Sequence, residues 1–325
     1  MSQSAKIESA KLPRAPKAPG EIRKDFQKNW VLYLIALPVV LWYIIFCYVP
    51  MIGVAMSFQN FRFNINYNFF GNLMRSDWVG LQQFANLFED FYFKRALGNT
   101  LRISVASIVI CFPAPIILAL LVNEITNEKF KRITQTFSYL PHFISLVVIC
   151  GMIKDFTTDT GVISVLISKI IGQPPVNMLA DADLFLPVYI VSDIWQEAGW
   201  SMIIYLAALS GIDPSLYEAA VVDGAGRWKQ TLHVTIPGIL PTVVIMLIMR
   251  MGQVLNVSFE KILLLSNDLT LAKADVISTL VYRMGIENQS WSFSVAVGLF
   301  NSVVNFALLM IVNKVCSKTT ETSLW

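Results

Sequence analysis

Residues 213–230 read DPSLYEAAVVDGAGRWKQ, a stretch of polar and small residues between two long apolar segments. The stretch predicts a helix, a break and a second helix. Asp213 can accept hydrogen bonds from exposed backbone amides as an N-cap, and Pro214 can occupy the first helical position, where its missing amide hydrogen is harmless. Gly224 and Gly226 permit a chain reversal that a β-carbon would oppose.

The first of these two helices has a composition that suits contact with another protein. Glu218 lies near the positive N-terminal end of the helix dipole. Ala219 and Ala220 keep one face thin, so that a partner backbone could approach closely. A short helix with a flat, small-residue face is typical of a docking element, and a solvated loop helix without a partner is the alternative.

The segments on both sides of this loop indicate a membrane protein. Of the 325 residues, 55% are hydrophobic and only 14% are Asp, Glu, Lys or Arg, which is outside the range of soluble domains. The charges gather into short clusters and leave long apolar blocks between them. Soluble enzymes, nucleic-acid-binding proteins and disordered scaffolds are therefore poor interpretations.

The apolar blocks predict an all-α polytopic fold, because a helix needs roughly 20 apolar residues to cross a bilayer. The apolar piece at 161–168 is too short to span. The fourth block is long enough, although it carries Asp193 and Glu197. We expect six spans at about 30–56, 101–123, 133–153, 184–210, 236–258 and 291–313, with the loop 211–237 between the fourth and the fifth.

Orientation follows from the distribution of Lys and Arg outside the spans. Fourteen lie on the side of the N-terminus and ten on the other side, where the loops are much longer. Both termini are therefore expected in the cytoplasm. We expect residues 1–28 to form a disordered basic tail, residues 29–315 the membrane domain, and residues 316–325 a cytoplasmic tail.

The loop also carries a family resemblance. Glu-Ala-Ala at 218–220, Asp-Gly-Ala at 223–225 and then Val234, Ile236 and Pro237 resemble the EAA signature of permease subunits of binding-protein-dependent ABC importers. Further resemblances extend it over roughly residues 30–315 and point to the carbohydrate-uptake branch, with an oligosaccharide or polysaccharide fragment as cargo. They lie at 78–84 and 96–101, which are similar to sugar-type permeases, and at 259–267 and 274–285, which are similar to permeases for complex carbohydrates.

The resemblance implies a type I importer fold and a cytoplasmic coupling helix that docks on an ATPase subunit. It also implies a bacterial plasma-membrane complex with a cytoplasmic ABC ATPase dimer, a second and different permease chain, and an extracytoplasmic solute-binding protein. Membrane lipid and a sugar are the remaining partners, with no nucleic acid. The implied ATPase-docking residues are Glu218, Ala219, Ala220, Asp223, Gly224 and Ala225.

The chain is not expected to hydrolyse ATP. No glycine is followed by lysine, so the phosphate-binding loop GxxxxGK[ST] is absent. ATP and Mg²⁺ are expected on the partner ATPase, with no cofactor and no catalytic residue on this chain. The four cysteines have no CxxC spacing, and neither histidine lies near a cysteine in sequence, so no metal site is predicted.

The fourth block provides the candidate substrate path. Its five polar and aromatic side chains share one stripe of a helix. Carboxylates facing lipid would cost several kcal/mol, so the stripe must face protein or water. It can line a sugar path or form a structural network, and the sequence leaves both open. The stripe consists of Tyr189, Asp193, Gln196, Glu197 and Trp200.

Arg250 in the fifth block needs compensation for the same reason. Counted from the outer ends of their blocks, Asp193 and Arg250 lie at similar depth, so they could form an ion pair, contact substrate, or do both. Gln253 and Asn256 extend the polar surface. His142 is interpreted as a satisfied interior histidine.

The sequence also has two rival interpretations. An ion-coupled secondary sugar transporter would show paired broken helices in two halves, yet there is no internal repeat and only one span holds acidic residues. An intramembrane enzyme would need a nucleophile or metal motif, and neither HExxH nor GxSxG is present.

Asn301 and Asn305 in the last block are expected to join helices.

Overall fold

The computed structural model describes residues 19–319 and 323–324, and this part of the chain is almost entirely helical. Two short strands, β1 (Gln59–Asn60) and β2 (Asp77–Trp78), pair antiparallel. The helices of the first third are α1 (Pro19–Tyr43), α2 (Val49–Met51), α3 (Phe69–Arg75), α4 (Gln82–Glu89), α5 (Phe91–Ala106) and α6 (Pro113–Asn123). The middle holds α7 (Glu128–Tyr139), α8 (Leu146–Phe156), α9 (Val162–Ile171), α10 (Phe185–Ser210), α11 (Pro214–Val222) and α12 (Arg227–Gln230). The last third holds α13 (Ile236–Met251), α14 (Phe259–Leu265), α15 (Leu271–Ala274), α16 (Ile277–Tyr282) and α17 (Trp291–Thr319).

The chain divides into two compact units after Ala55. In the first unit, α1 begins at Pro19, so the prediction that residues 19–28 are disordered is wrong. Glu, Arg, Lys and Gln dominate this segment, and all of them favour helix. A break in helical geometry at Asn29 (φ −118°, ψ 20°) marks the start of the apolar run. Residues 1–18 of the predicted tail lie outside the described residues.

At the other end, α17 continues to Thr319, so the start of the predicted C-terminal tail is also helical. Residues 320–322 and 325 of that tail lie outside the described part of the chain.

Four described helices are long and apolar enough to cross a membrane, and a bent pair of helices adds a fifth candidate. The helix α10 has 26 residues but is not among them, because its polar stripe lowers its hydropathy. The four helices are Phe26–Phe58, Phe91–Asn123, Arg227–Met251 and Trp291–Thr319, and the bent pair is Glu128–Phe143 with Leu146–Phe156.

Two predicted spans are interrupted. The span expected at 133–153 bends by 97° between α7 and α8. A 3-10 turn that contains Pro141 lies at this bend, because proline cannot continue the hydrogen-bond ladder of α7. The span expected at 236–258 ends at Met251, and residues 252–258 form a non-helical segment.

Three of the four π turns among the described residues end two positions before a proline. Proline lacks the amide hydrogen for a normal helical bond, and its ring displaces the preceding turn. The helix widens locally and continues. These turns are Ile44–Tyr48 before Pro50, Ser107–Cys111 before Pro113, and Thr231–Thr235 before Pro237.

The second unit is built around α10, which contributes to two of its three apolar clusters. One cluster joins α10 to α8 and α14 through residues such as Ile149 and Ile262. Another joins α10 to α6 and α13 through Met202, Ala119 and Ile239. The helix α10 is therefore the element that these two clusters share.

Gly199 allows a very close approach between α10 and the end of α7. A β-carbon at this position would overlap the backbone carbonyl of Ser138. The bent connection after α7 can therefore rest directly on the backbone of α10, which positions His142 beside the stripe.

A buried carboxylate organises the region around α16. Asp275 is fully buried and accepts hydrogen bonds from Arg283 (2.6 Å) and Arg95 (3.4 Å). Asn99 of α5 donates to the Asp275 carbonyl at 3.0 Å. These bonds join α5 to the start of α16, next to the helices that border the site.

Candidate functional site

A cavity of about 540 Å³ lies against the polar stripe of α10. Seven of the eight residues predicted for the substrate path line it, and Trp200 does not. The lining combines two carboxylates, two cationic side chains, amides, hydroxyls and two tyrosines. The predicted residues in the lining are Tyr189, Asp193, Gln196, Glu197, Arg250, Gln253 and Asn256.

Asp193 does not pair with Arg250, the partner suggested by the sequence. Lys261 Nζ donates to Asp193 Oδ1 at 3.1 Å, and it also lies 5.1 Å from the centre of the Tyr189 ring. The Lys261 side chain is 2% exposed and that of Asp193 21%. The pair joins α14 to α10 in a largely dehydrated position, so the suggested ion pair of Asp193 with Arg250 is replaced by one with Lys261.

Arg250 donates instead to Ser107 Oγ at 2.8 Å. Arg250 lies in the last turn of α13, which ends at Met251 and does not continue to residue 258 as the predicted span would. Ser107 is buried at the start of the π turn between α5 and α6. The guanidinium thus contacts a neutral hydroxyl at the wall of the cavity.

His142 takes part in the site more directly than its interpretation as an interior residue suggested. His142 Nδ1 and Glu197 Oε2 are 3.0 Å apart, and the imidazole stacks on the Trp200 indole with ring centres 4.6 Å apart and planes 2° apart. The histidine side chain is 30% exposed. Trp200 therefore belongs to the stripe as the ring that positions His142 against Glu197.

Asn256 is held by the last helix. Its Oδ1 accepts hydrogen bonds from Asn301 Nδ2 at 2.9 Å and from Asn305 Nδ2 at 3.3 Å. Asn305 Oδ1 also accepts from the Leu255 amide at 3.1 Å. The two asparagines of α17 therefore fix the segment after α13. The sequence predicted a contact between two helices, whereas this contact joins a helix to a loop.

Sequence reasoning missed Lys261 and Ser107. Lys261 is the one charge within the apolar run of α14 that becomes buried, and a buried lysine requires a partner. The lysine in an apolar run could be seen in the sequence, although its partner could not. Ser107 carries no comparable signal, because serine is common in membrane helices.

The loop 213–230 has the predicted helix-break-helix form. Asp213 accepts from the Ser215 amide at 2.9 Å, and this bond lowers the pKa of the Asp213 carboxyl below its ordinary value. Gly224 has φ +74°, a conformation that favours glycine. Gly226 has φ −68° and open space around an added β-carbon, so the expectation that a β-carbon would be opposed there is wrong. Gln230 Nε2 donates to the Ala225 carbonyl at 2.7 Å, which closes the break.

The surface of this loop is open. No residue of α11 or α12 is buried, and Val222 and Trp228 are 87% and 75% exposed. Large apolar side chains are thus presented outward beside the small residues Ala219 and Ala220.

The family model for the inner membrane component of binding-protein-dependent transport systems matches residues 111–317, which include this loop and most of the residues that line the cavity. The chain belongs to this family. It is a transport permease and not itself an ATPase. Family membership also argues against the alternative of an ion-coupled secondary transporter.

Curated relatives agree over nearly the whole chain. Protein LplB of Bacillus subtilis is 41% identical over 295 residues, covering 90% of this chain and 91% of LplB. The polygalacturonan/rhamnogalacturonan transport system permease protein YteP of the same organism is 40% identical, covering 90% of each chain.

A solved structure shares the fold. A chain in the crystal structure of a bacterial alginate ABC transporter, in complex with an alginate pentasaccharide-bound periplasmic protein, matches with a TM-score of 0.85 and 39% identity. The match covers 94% of this permease and 100% of that chain.

Proposed function

We propose that this permease carries a carbohydrate, an oligosaccharide or polysaccharide fragment, through an ATP-driven importer that receives it from an extracytoplasmic binding protein. The observation that carries the proposal is the polar cavity beside α10. Carboxylates and amides can hydrogen-bond sugar hydroxyls, and the Tyr189 ring can cover an apolar sugar face. The sugar-transport names of similar permeases support the same substrate class.

The substrate path is assigned to the eight residues of the stripe and of the wall opposite it. Asp193 and Glu197 provide carboxylate oxygens that accept hydrogen bonds from sugar hydroxyl groups. Gln196, Gln253 and Asn256 provide amides. Trp200 acts by holding His142 on Glu197, and Arg250 carries a positive charge at the rim.

Six crossings are proposed, namely the four apolar helices, the bent pair of α7 and α8 as one crossing, and α10 as another. The lipid-incompatible stripe of α10 faces protein and the cavity, which permits an otherwise too polar helix to span. An even number of crossings and the excess of Lys and Arg on the N-terminal side support the proposal that both termini lie on the cytoplasmic side of a bacterial plasma membrane.

A second permease subunit completes the path. Arg250, Gln253 and Asn256 are exposed on this chain, and such a polar row cannot face hydrocarbon. A different permease chain, related by a pseudo-twofold axis, would cover this row and enclose the sugar between the two subunits.

The helix α11 is the proposed coupling helix. Its exposed side chains and the thin Ala219–Ala220 face would enter a groove on a cytoplasmic ATPase dimer, which binds ATP and Mg²⁺. The docking residues are Glu218, Ala219, Ala220, Asp223, Gly224 and Ala225.

The test is reconstitution of the chain in proteoliposomes with the second permease, the ATPase and the binding protein. At least one oligosaccharide of a tested panel should stimulate ATP hydrolysis and enter the vesicles. Its entry should require ATP in the compartment that contains the ATPase. Accumulation driven by an ion gradient without ATP, or stimulation by no sugar at all, would contradict the proposal.

Two serines of α10 provide a matched pair of variants. Ser201 lines the cavity, whereas Ser210 is exposed at the end of the helix and bonds only to the Leu206 carbonyl. Ser201→Leu should fill the path and abolish sugar uptake, and Ser210→Leu should retain it. Equal uptake by both variants would show that the cavity is not part of the substrate path.

A further inference from the structure

The charges that line the cavity differ in how they are compensated. Asp193 accepts from Lys261 at 3.1 Å, and Glu197 lies 3.0 Å from the imidazole of His142. Each carboxylate therefore already has a nitrogen partner, and the positive charge of Lys261 is used within the protein.

Arg250 is compensated differently. Within the described part of the chain, no carboxylate lies within 4.0 Å of its guanidinium, and its one side-chain partner is the neutral Ser107 hydroxyl. Arginine remains charged at any physiological pH and offers five N–H donors. One donor is used by Ser107, so a full positive charge and several donors face the cavity.

The surroundings of Arg250 favour an acceptor-rich ligand. Asn256 Oδ1 is occupied by Asn301 and Asn305, so its Nδ2 is the part of the amide that can contact a ligand, as a donor. This wall of the cavity therefore combines a fixed guanidinium with an oriented amide donor, while the carboxylates lie on the α10 wall.

We infer that Arg250 binds a carboxylate of the transported sugar, and that the substrate class is an acidic oligosaccharide built from uronate units. The inference rests on the proposed function, because it takes the cavity as the sugar path. A guanidinium matches a carboxylate through two parallel hydrogen bonds, which a neutral hydroxyl cannot reproduce. Sugar hydroxyls then bond to the amides and to the α10 carboxylates.

Direct binding to the membrane complex separates this cavity from the selectivity of the binding protein. The purified complex of both permeases and the ATPase, without binding protein, is titrated with a galacturonate trisaccharide and with the same trisaccharide after reduction of its carboxyl groups. Saturation-transfer NMR measures both affinities. The wild-type complex should bind the acidic trisaccharide about tenfold more tightly, as expected for charge-assisted hydrogen bonds.

Three variants determine whether the preference belongs to Arg250. Arg250→Gln should bind the two trisaccharides equally, and Arg250→Lys should keep part of the preference because it retains charge without the planar fork. Ser107→Ala removes the Arg250 hydrogen bond but not the charge, so the acidic preference should persist. Raising the salt concentration should reduce the preference in the wild type.

Equal wild-type affinity for the two trisaccharides, or no binding of the acidic one, would overturn the inference. So would an acidic preference that survives in Arg250→Gln. These outcomes leave the proposed function intact if another sugar still stimulates ATP hydrolysis in the full importer. The inference would also be overturned if Ser107→Ala lost the preference to the same extent as Arg250→Gln, because Arg250 would then have only a structural role.

Discussion

The loop 213–230 and the cavity beside α10 are stabilised by hydrogen bonds of very different reach. In the loop, Asp213 caps Ser215 two positions away and Gln230 bonds to Ala225 five positions away. In the cavity, the bonded pairs are 55, 68 and 143 positions apart in the chain. The cap and the break of the loop are therefore held by neighbouring residues, whereas the cavity exists only when several helices have packed.

This difference predicts two kinds of response to mutation. A change in the loop should leave the rest of the fold in place and alter what the loop contacts. A change among the cavity supports should reduce the stability of the whole helical unit, because each bond there joins elements that are distant in sequence.

The largest effect is expected where α10 meets the connection after α7. Gly199→Val would force a side chain into the Ser138 carbonyl and should destabilise the protein by more than about 3 kcal/mol. Thermal unfolding of the purified permease and its abundance in the membrane measure this. Gly151→Ala is the matched control, because no atom lies within 4 Å of the added β-carbon, and it should be neutral or slightly stabilising. Similar melting of the two variants would contradict the described contact.

The next largest effect concerns the Asp193 and Lys261 pair. Asp193→Asn or Lys261→Met alone should cost about 3 kcal/mol, because each leaves one charge buried without its partner. The double variant Asp193→Asn with Lys261→Met should recover much of this loss. Combining Asp193→Asn with Arg250→Gln should give no such recovery, since these two residues are not bonded to each other. Recovery in the second combination and not in the first would restore the pairing considered from the sequence.

A smaller structural effect with a large functional effect is expected in the loop. Gly224→Val places a β-branched residue at φ +74°, which costs about 1–2 kcal/mol and is confined to the break. Sugar-stimulated ATP hydrolysis by the full importer should be lost, while membrane insertion and melting temperature change little. Glu218→Lys should give the same uncoupling through charge. Gly226→Ala is the control, because Gly226 has φ −68° and no atom within 4 Å of an added β-carbon. Normal stimulation in both test variants would refute the docking role.

The smallest effect is expected at the N-cap of α11. Asp213 has a lowered folded-state pKa, so its carboxylate stabilises α11 above the unfolded pKa of about 4, and the stabilisation is lost as pH falls through the folded value. Hydrogen exchange of the α11 amides should accelerate a few-fold at low pH beyond the intrinsic pH dependence. Asp213→Asn should keep the cap and remove this pH dependence, whereas Asp213→Ala should exchange faster at every pH. An unchanged pH profile in Asp213→Asn would show that another group titrates.

The sequence alone was sufficient for the parts of the molecule whose physics is local or compositional. Long apolar blocks indicated a helical membrane protein, and the order Asp-Pro, Ala-Ala, Gly-x-Gly predicted the helix-break-helix of residues 213–230. The stripe of α10 followed from helical periodicity, and the cost of charges in hydrocarbon required that it face away from lipid. Four of its five residues do line the cavity, together with the three polar residues predicted after them.

Only the tertiary structure decided how those polar groups are paired. The choice of Lys261 over Arg250 as the partner of Asp193 depends on where α13 ends and on how α14 packs against α10, and neither follows from residue spacing. The bend after α7, which brings His142 onto Trp200 and Glu197, depends on the backbone contact at Gly199. Capping, periodicity and hydropathy act within a few residues, so the sequence determined the helices and the loop. Electrostatic pairing depends on distances between elements that are far apart in the chain, so the fold determined the chemistry of the cavity.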